Sequence, residues 1–265
     1  MGWLVLGVLA LTMVFPFVWS FSTSLQANET LLQVPPQLIP DSPSLDAYRE
    51  LMEVIPFARM VVNSAIVTAI VVVLQVLTSA LAGYGIARFR FRGRNVLLLL
   101  YIATLMVPFQ VTIVPLFIGM SRLGWLNTLQ ALVLPMVASA FGVFLFRQYF
   151  MQMPRELEEA AALDGASPWR TFWSVAFPYA RPAAATFGIL AFMASWNSFL
   201  WPLFVARDEA AMTLPVGLAS LHGRYQTDWN LVMAGSVIAV VPVIIAFAIV
   251  QRHISAGLLL GGVNK

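Results

Sequence analysis

Apolar residues in this chain do not alternate with polar ones in the manner of a surface helix; they run together. Six stretches approach the roughly 20 mainly apolar residues that a helix needs to cross a bilayer. They are residues 3–21, 57–87, 96–120, 129–146, 183–204 and 231–251. The stretch at 3–21 lacks the basic leader and the small-x-small cleavage site of a secretory signal, so it is read as a retained crossing. The pattern predicts an all-α polytopic membrane protein with six transmembrane helices, organised as a single domain over 1–265.

The polar residues between these runs sort by side. One set of loops holds Arg88, Arg90, Arg92, Arg94, Arg147, Arg155, Arg170, Arg181, Arg252 and Lys265, and the other holds Arg49, Arg59, Arg122, Arg207 and Arg224. Ten basic residues against five place the first set in the cytoplasm by the positive-inside rule, with both termini inside. "RFRFRGR" at 88–94 is then the first cytoplasmic turn and not a nucleic-acid motif. Eight of the twelve acids, among them Glu29, Asp41, Asp46, Glu50 and Glu53, fall in the external loops. The longest non-spanning pieces are 22–56 outside, 147–182 inside and 205–230 outside.

Composition narrows the chemistry. The chain is 60% hydrophobic and 10% charged, with a mean hydropathy of +0.84, whereas soluble domains carry about 25% charged residues. It has no cysteine, and its two histidines, His222 and His253, cannot by themselves build a metal or catalytic centre. No Asp or Glu lies in a span, and Arg59 is the only charge before the final basic turn, which disfavours an ion-coupled carrier. The sole lysine is Lys265, so there is no phosphate-binding P-loop. No Ser-His-Asp set or carboxylate pair marks an enzyme. Any energy input comes from a partner.

One passage breaks the apolar pattern: "EEAAALDGASPWRTFWSVAFP" at 158–178. Residues 155–164 are expected to be helical, with Pro154 at the first position and Glu156, Glu158 and Glu159 near the positive end of the helix dipole. Gly165 is placed to end that helix in a left-handed cap. Ser167 and Pro168 open a second helix, with Trp169, Phe172, Trp173 and Ala176 on one face and Pro178 as its stop. Interfacial lipid-binding helices are typically basic, whereas this one is acidic and would face an anionic leaflet unfavourably. The small alanines and the handles Glu159 and Asp164 favour docking to a protein.

The same passage closely resembles the EAA loop of the inner-membrane permease subunits of binding-protein-dependent ABC importers. The family's E-A-A, D-G-A, and apolar residue with proline fall here at Glu159, Ala160, Ala161, Asp164, Gly165, Ala166, Val175 and Pro178. "PSLDAYREL" at 43–51, "NSAIVTAIVVVLQVLTSALAGYGIARFRFRGR" at 63–94, "SWNSFLWPLFV" at 195–205 and "TLPVGLASL" at 213–221 are similar to further segments of the carbohydrate-uptake, maltose-type group. The ending "GLLLGGVNK" resembles the family's G-x-T-x-G-x-V-K-G but departs from it at Leu259 and at Asn264-Lys265.

The resemblance implies a type I importer permease (MetI-like) fold, with a cytoplasmic coupling helix inside the loop 147–182. It implies that Glu159, Ala160, Ala161, Asp164, Gly165, Ala166, Pro168 and Pro178 seat in a partner ATPase. The implied assembly has a second homologous permease subunit, two copies of the ATPase and an extracytoplasmic solute-binding protein, set in the lipid of a bacterial inner membrane. ATP and magnesium are expected on the partner ATPase; no cofactor, catalytic residue or metal is expected on this chain, and no nucleic acid. The implied cargo is a sugar or oligosaccharide, moved by alternating access. A glycerophosphodiester or amino sugar is the alternative within the class, and an autonomous carrier or channel is the rival outside it.

Two further groups are candidates. Trp196, Asn197, Ser198 and Trp201 lie in the fifth crossing and, with Asn63 and Gln110, either line a substrate path or pack between helices. Pro108 and Pro115 are expected to kink the third crossing. The loop "LASLHGRYQTDWN" at 218–230 places His222, Gly223, Arg224, Tyr225 and Gln226 where they either meet the binding protein, as the family's scoop loop does, or remain solvated.

Overall fold

The computed structural model describes residues 2–27, 37–222 and 227–260. The expected contacts Gly223, Arg224, Tyr225 and Gln226, together with Glu29 and the tail from 261, lie outside them. The described chain is helical, and its residues group into two compact units.

The first unit is Met1–Ser64 with Ala206–Ile245. It holds α1 (Gly2–Ser24), α2 (Asp46–Val54), the start of α3 (Phe57–Arg88), α13 (Leu214–Ser220) and the first half of α14 (Trp229–Leu260). Helix α1 exposes apolar side chains along its whole length, from Trp3 to Phe21, and buries only Ser22, Thr23 and Ser24. Such a helix is unstable in water and at home in lipid. The core of this unit is Leu51, Phe57, Met60, Leu214 and Leu231. Ser64 Oγ accepts a hydrogen bond from Leu214 N at 2.8 Å, capping the start of α13.

The second unit is Ala65–Val205 with Ala246–Lys265. Between α3 and α14 it contains α4 (Arg94–Ala103), α5 (Phe109–Arg122), α6 (Leu129–Val133), α7 (Ala140–Gln152), α8 (Glu156–Leu163), α9 (Pro168–Thr171), α10 (Phe177–Tyr179), α11 (Arg181–Trp196) and α12 (Leu200–Val205). Its core joins Ala80 and Tyr84 of α3 to Phe146 and Phe150 of α7, Phe172 and Ala176 beyond α9, and Ala183 and Phe187 of α11.

Among the described residues, α1, α3 and α14 are long and apolar enough to cross alone, and three bent pairs bring the number to the expected six when each pair is taken as one span. Pro108 does more than kink the third crossing. It holds Val107 in an extended conformation, and the chain turns 98° between Arg94–Met106 and Phe109–Arg122. Pro115 stays within an intact α5. The fourth crossing bends by 47° before Ser139, whose side chain accepts from Gly142 N at 3.1 Å and starts a new helix. The fifth, expected over 183–204, is instead the pair Pro168–Tyr179 and Arg181–Trp196, bent by 75°, after which the chain resumes as α12 at Leu200.

Candidate functional site

The polar passage folds as a compact hook. Helix α8 starts one residue later than expected, with Arg155 at its N-cap and Pro154 outside it. Glu156, Glu158 and Glu159 all sit in its first turn, where the helix dipole favours anions. Its end is a Schellman turn: Gly165 N donates to Ala162 O and Ala166 N to Ala161 O, at 3.0 and 2.9 Å. Gly165 has φ +77°, a conformation that side chains bearing a Cβ resist. Ser167 then accepts from Arg170 N at 3.3 Å, with Pro168 in the first turn of α9. The helix does not stop at Pro178. A π turn over Phe172–Ala176 precedes it, and α10 continues to Tyr179. Widening the turn makes room for a proline ring that would otherwise strike the preceding carbonyls.

The hook exposes one side and buries the other. Glu159, Ala160, Asp164, Gly165 and Pro168 are exposed, and Leu163 at the tip is 90% exposed. Ala161, Ala166 and Pro178 are half-buried. The expected aromatic face divides: Phe172 and Ala176 enter the core, while Trp169 and Trp173 remain exposed and form an aromatic chain with Phe172 and Phe177.

The residue that fastens the hook was not singled out in the sequence. Glu158 turns inward and receives a hydrogen bond from Tyr84 OH on Oε1 at 2.7 Å. Its Oε2 forms an ion pair with Arg88 Nε at 2.9 Å, the two side chains being 21% and 9% exposed. Arg88 also donates from Nη2 to Met153 O at 2.7 Å, on the residue that caps α7. Arg88 lies in the last turn of α3 and Glu158 in the first turn of α8, so both charges suit their helix dipoles. The ring of Tyr84 meets those of Phe150 and Phe172, each at 5.3 Å. The only advance signal is spacing: Glu158 is three residues before Ala161, the other inward-facing position of α8.

The candidates in the apolar region take distinct positions. Trp201 is buried, donating from Nε1 to Ala131 O at 2.9 Å, and its ring meets Phe109 edge-on at 6.2 Å. That contact sets the start of α5 beside α12; Gln110, next to Phe109, is exposed. Asn197 is exposed at the C-cap of α11 and donates to Met193 O at 2.9 Å; Ser198 is half-buried. Trp196 is buried and stacks on Phe192 at 5.9 Å. Asn63 is not brought to this group. In the first unit it donates to Ala210 O and Met212 O at 3.0 and 2.9 Å, clamping the loop before α13. His222 is exposed, bridges to Thr227 and lies edge-on to Trp229 at 5.8 Å. Among the described residues no group of three or more His, Cys, Asp or Glu side chains gathers to hold a metal.

Comparison with known proteins shows what the chain is similar to. The sequence model of the family described as "binding-protein-dependent transport system inner membrane component" matches residues 75–259. The arabinooligosaccharides transport system permease protein AraQ of Halalkalibacterium halodurans is 41% identical over 202 residues, covering 76% of this chain and 72% of that protein. The sn-glycerol-3-phosphate transport system permease protein UgpE of Pectobacterium atrosepticum is 34% identical over 264 residues, covering 97% and 93%. Among solved structures, a chain of a bacterial ABC transporter involved in import of the acidic polysaccharide alginate superposes with a TM-score of 0.85 at 26% identity, covering 95% of this chain and 94% of that one.

Proposed function

The chain belongs to the family of binding-protein-dependent transport system inner membrane components, and from that membership we propose that it forms half of the membrane pathway of an ATP-driven importer for a sugar or oligosaccharide. It is a transport subunit of an ABC importer and performs no chemistry of its own. The whole chain acts as one permease domain, multi-pass in a bacterial inner membrane with both termini in the cytoplasm. Its partners are a second permease subunit, two ATPase subunits that bind ATP and magnesium, and an extracytoplasmic solute-binding protein.

The observation that carries this reading is the hook. Glu159, Ala160, Leu163, Asp164 and Gly165 protrude from a short helix whose opposite side is tied to α3, as a handle gripped by a separate motor requires. Ala161, Ala166, Pro168 and Pro178 shape the hook. The cleft of the partner ATPase closes on the exposed side, and the displacement alternates access to a path across the membrane. Asn197 and Ser198 stand at one helix break, with Trp196 alongside, and Gln110 at the start of α5, which the Phe109–Trp201 contact sets beside α12. Interrupted helices of this kind free backbone groups where polar cargo passes. Asn63 takes part through the loop it clamps, and the segment around His222–Gln226 meets the binding protein.

The similarity to an arabinooligosaccharide permease and to an alginate importer favours a saccharide as cargo. The sn-glycerol-3-phosphate permease supports a second reading, a phosphodiester or phosphate ester of glycerol. The test is reconstitution of the chain with its partner subunits in liposomes. Uptake of labelled oligosaccharide is expected to require both ATP and the binding protein. Solute movement by this chain alone, without ATP, would overturn the reading.

A further inference from the structure

We propose that Glu158, gripped by Tyr84 and Arg88, is the positioning residue through which movement of the hook reaches the long helix α3. The proposal rests on the coupling role given to the hook above and adds the route by which displacement leaves it. Helix α8 has only eight residues and projects from the chain, exposed on most of its surface. A helix this short holds its direction only if something outside it does so. The backbone on either side offers little: Pro154 precedes it, and the Gly165 turn follows it.

The polar tie supplies that constraint. Both carboxylate oxygens of Glu158 are engaged by residues of α3, Oε1 by Tyr84 and Oε2 by Arg88. One anchor is a hydrogen bond and the other an ion pair, and being one helical turn apart they restrain orientation as well as distance. Arg88 simultaneously holds Met153 O, so the end of α7, the start of α8 and the end of α3 meet on one guanidinium. The low exposure of both partners shields the pair from water and salt, unlike the surface pair of Arg49 with Asp46, whose side chains are 79% and 78% exposed. A pull on α8 therefore displaces the end of α3 before the tie breaks. Glu159, the next residue, points away from this cluster, so the two neighbouring acids divide the work: one faces the partner ATPase and one faces the permease.

The experiment uses the full importer and two readouts. The chain has no cysteine, so spin labels at Val73→Cys on α3 and Ala162→Cys on α8 report a single distance. The parent is expected to show one narrow distribution, which Glu158→Gln broadens. In the same variant the ATPase subunits should still co-purify, while solute taken up per ATP hydrolysed falls at least tenfold. Tyr84→Phe, which keeps the ion pair, should fall less. Arg88→Glu combined with Glu158→Arg should recover at least threefold over either single change. An unchanged distance distribution and uptake ratio in Glu158→Gln would sink the proposal. So would loss of ATPase binding with an unchanged distance, which would make Glu158 a docking contact. If Glu158→Gln does not accumulate in the membrane, Tyr84→Phe decides by the same two readouts. Failure of the coupling role itself would show in the parent, as uptake independent of ATP, and the distance measurement would still decide the tie.

Discussion

Gly165 shows how much one backbone conformation can decide. Its φ of +77° lets Ala162 and Ala161 discharge their carbonyls and folds α9 back from α8. An L-residue held there costs about 1–2 kcal/mol, a factor of roughly 5–30 in the population of the turn. Gly165→Ala should therefore lower ATP-driven uptake several-fold, and Gly165→Asn less, because asparagine tolerates the left-handed region. Equal uptake by both variants and the parent would mean that the turn has no part in coupling. This residue was legible in the sequence, as was the Ser167 cap, because caps are local chemistry written within a few residues. Glu158 was not. Its partners Tyr84 and Arg88 lie 74 and 70 residues away in the chain, and only packing reveals that it, and not Glu159, turns inward.

At the scale of elements, the seat of the hook depends on how closely α3 and α7 cross. A Cβ on Gly83 would lie 2.8 Å from Phe146 Cβ, 2.9 Å from Arg147 N and 3.0 Å from Val143 O. Two of these neighbours are backbone atoms of α7, so nothing can rotate away. Gly83→Ala should push the helices apart at a cost of about 1–3 kcal/mol, seen as a lower thermal unfolding midpoint in detergent. An unaltered midpoint would show that the crossing is looser than the structure has it. Because Tyr84 follows Gly83, the same change should also weaken the hold on Glu158. Helix existence was readable from the apolar runs, and α1, α3 and α14 match the expected crossings closely. The interruptions at Val107, before Ser139 and after Trp196 were not. A proline marks the first, but nothing in hydropathy separates a kink from a 98° turn, which the packing of both halves decides.

For the whole molecule, runs of spanning length and arginines gathered in alternate loops indicated an all-helical membrane protein, an acidic passage where lipid-filling residues were expected indicated a docking segment, and only the resemblance of that passage to the EAA loop indicated a permease. The structure adds that this passage is exposed at Glu159, Leu163 and Asp164 and anchored by Glu158. The candidates for a substrate path were less legible, since a tryptophan in an apolar run reads the same whether it faces a pore or, like Trp201, fills a core. The account stands or falls on whether the exposed side of the hook is where the motor binds. The most direct measurement is the amount of ATPase subunit retained when the tagged chain is purified from membranes, for the parent and for Glu159→Lys at equal membrane insertion. The account predicts strong retention by the parent and at least a tenfold loss in the variant, with ATP-driven uptake lost in parallel. Equal retention by the two would contradict it.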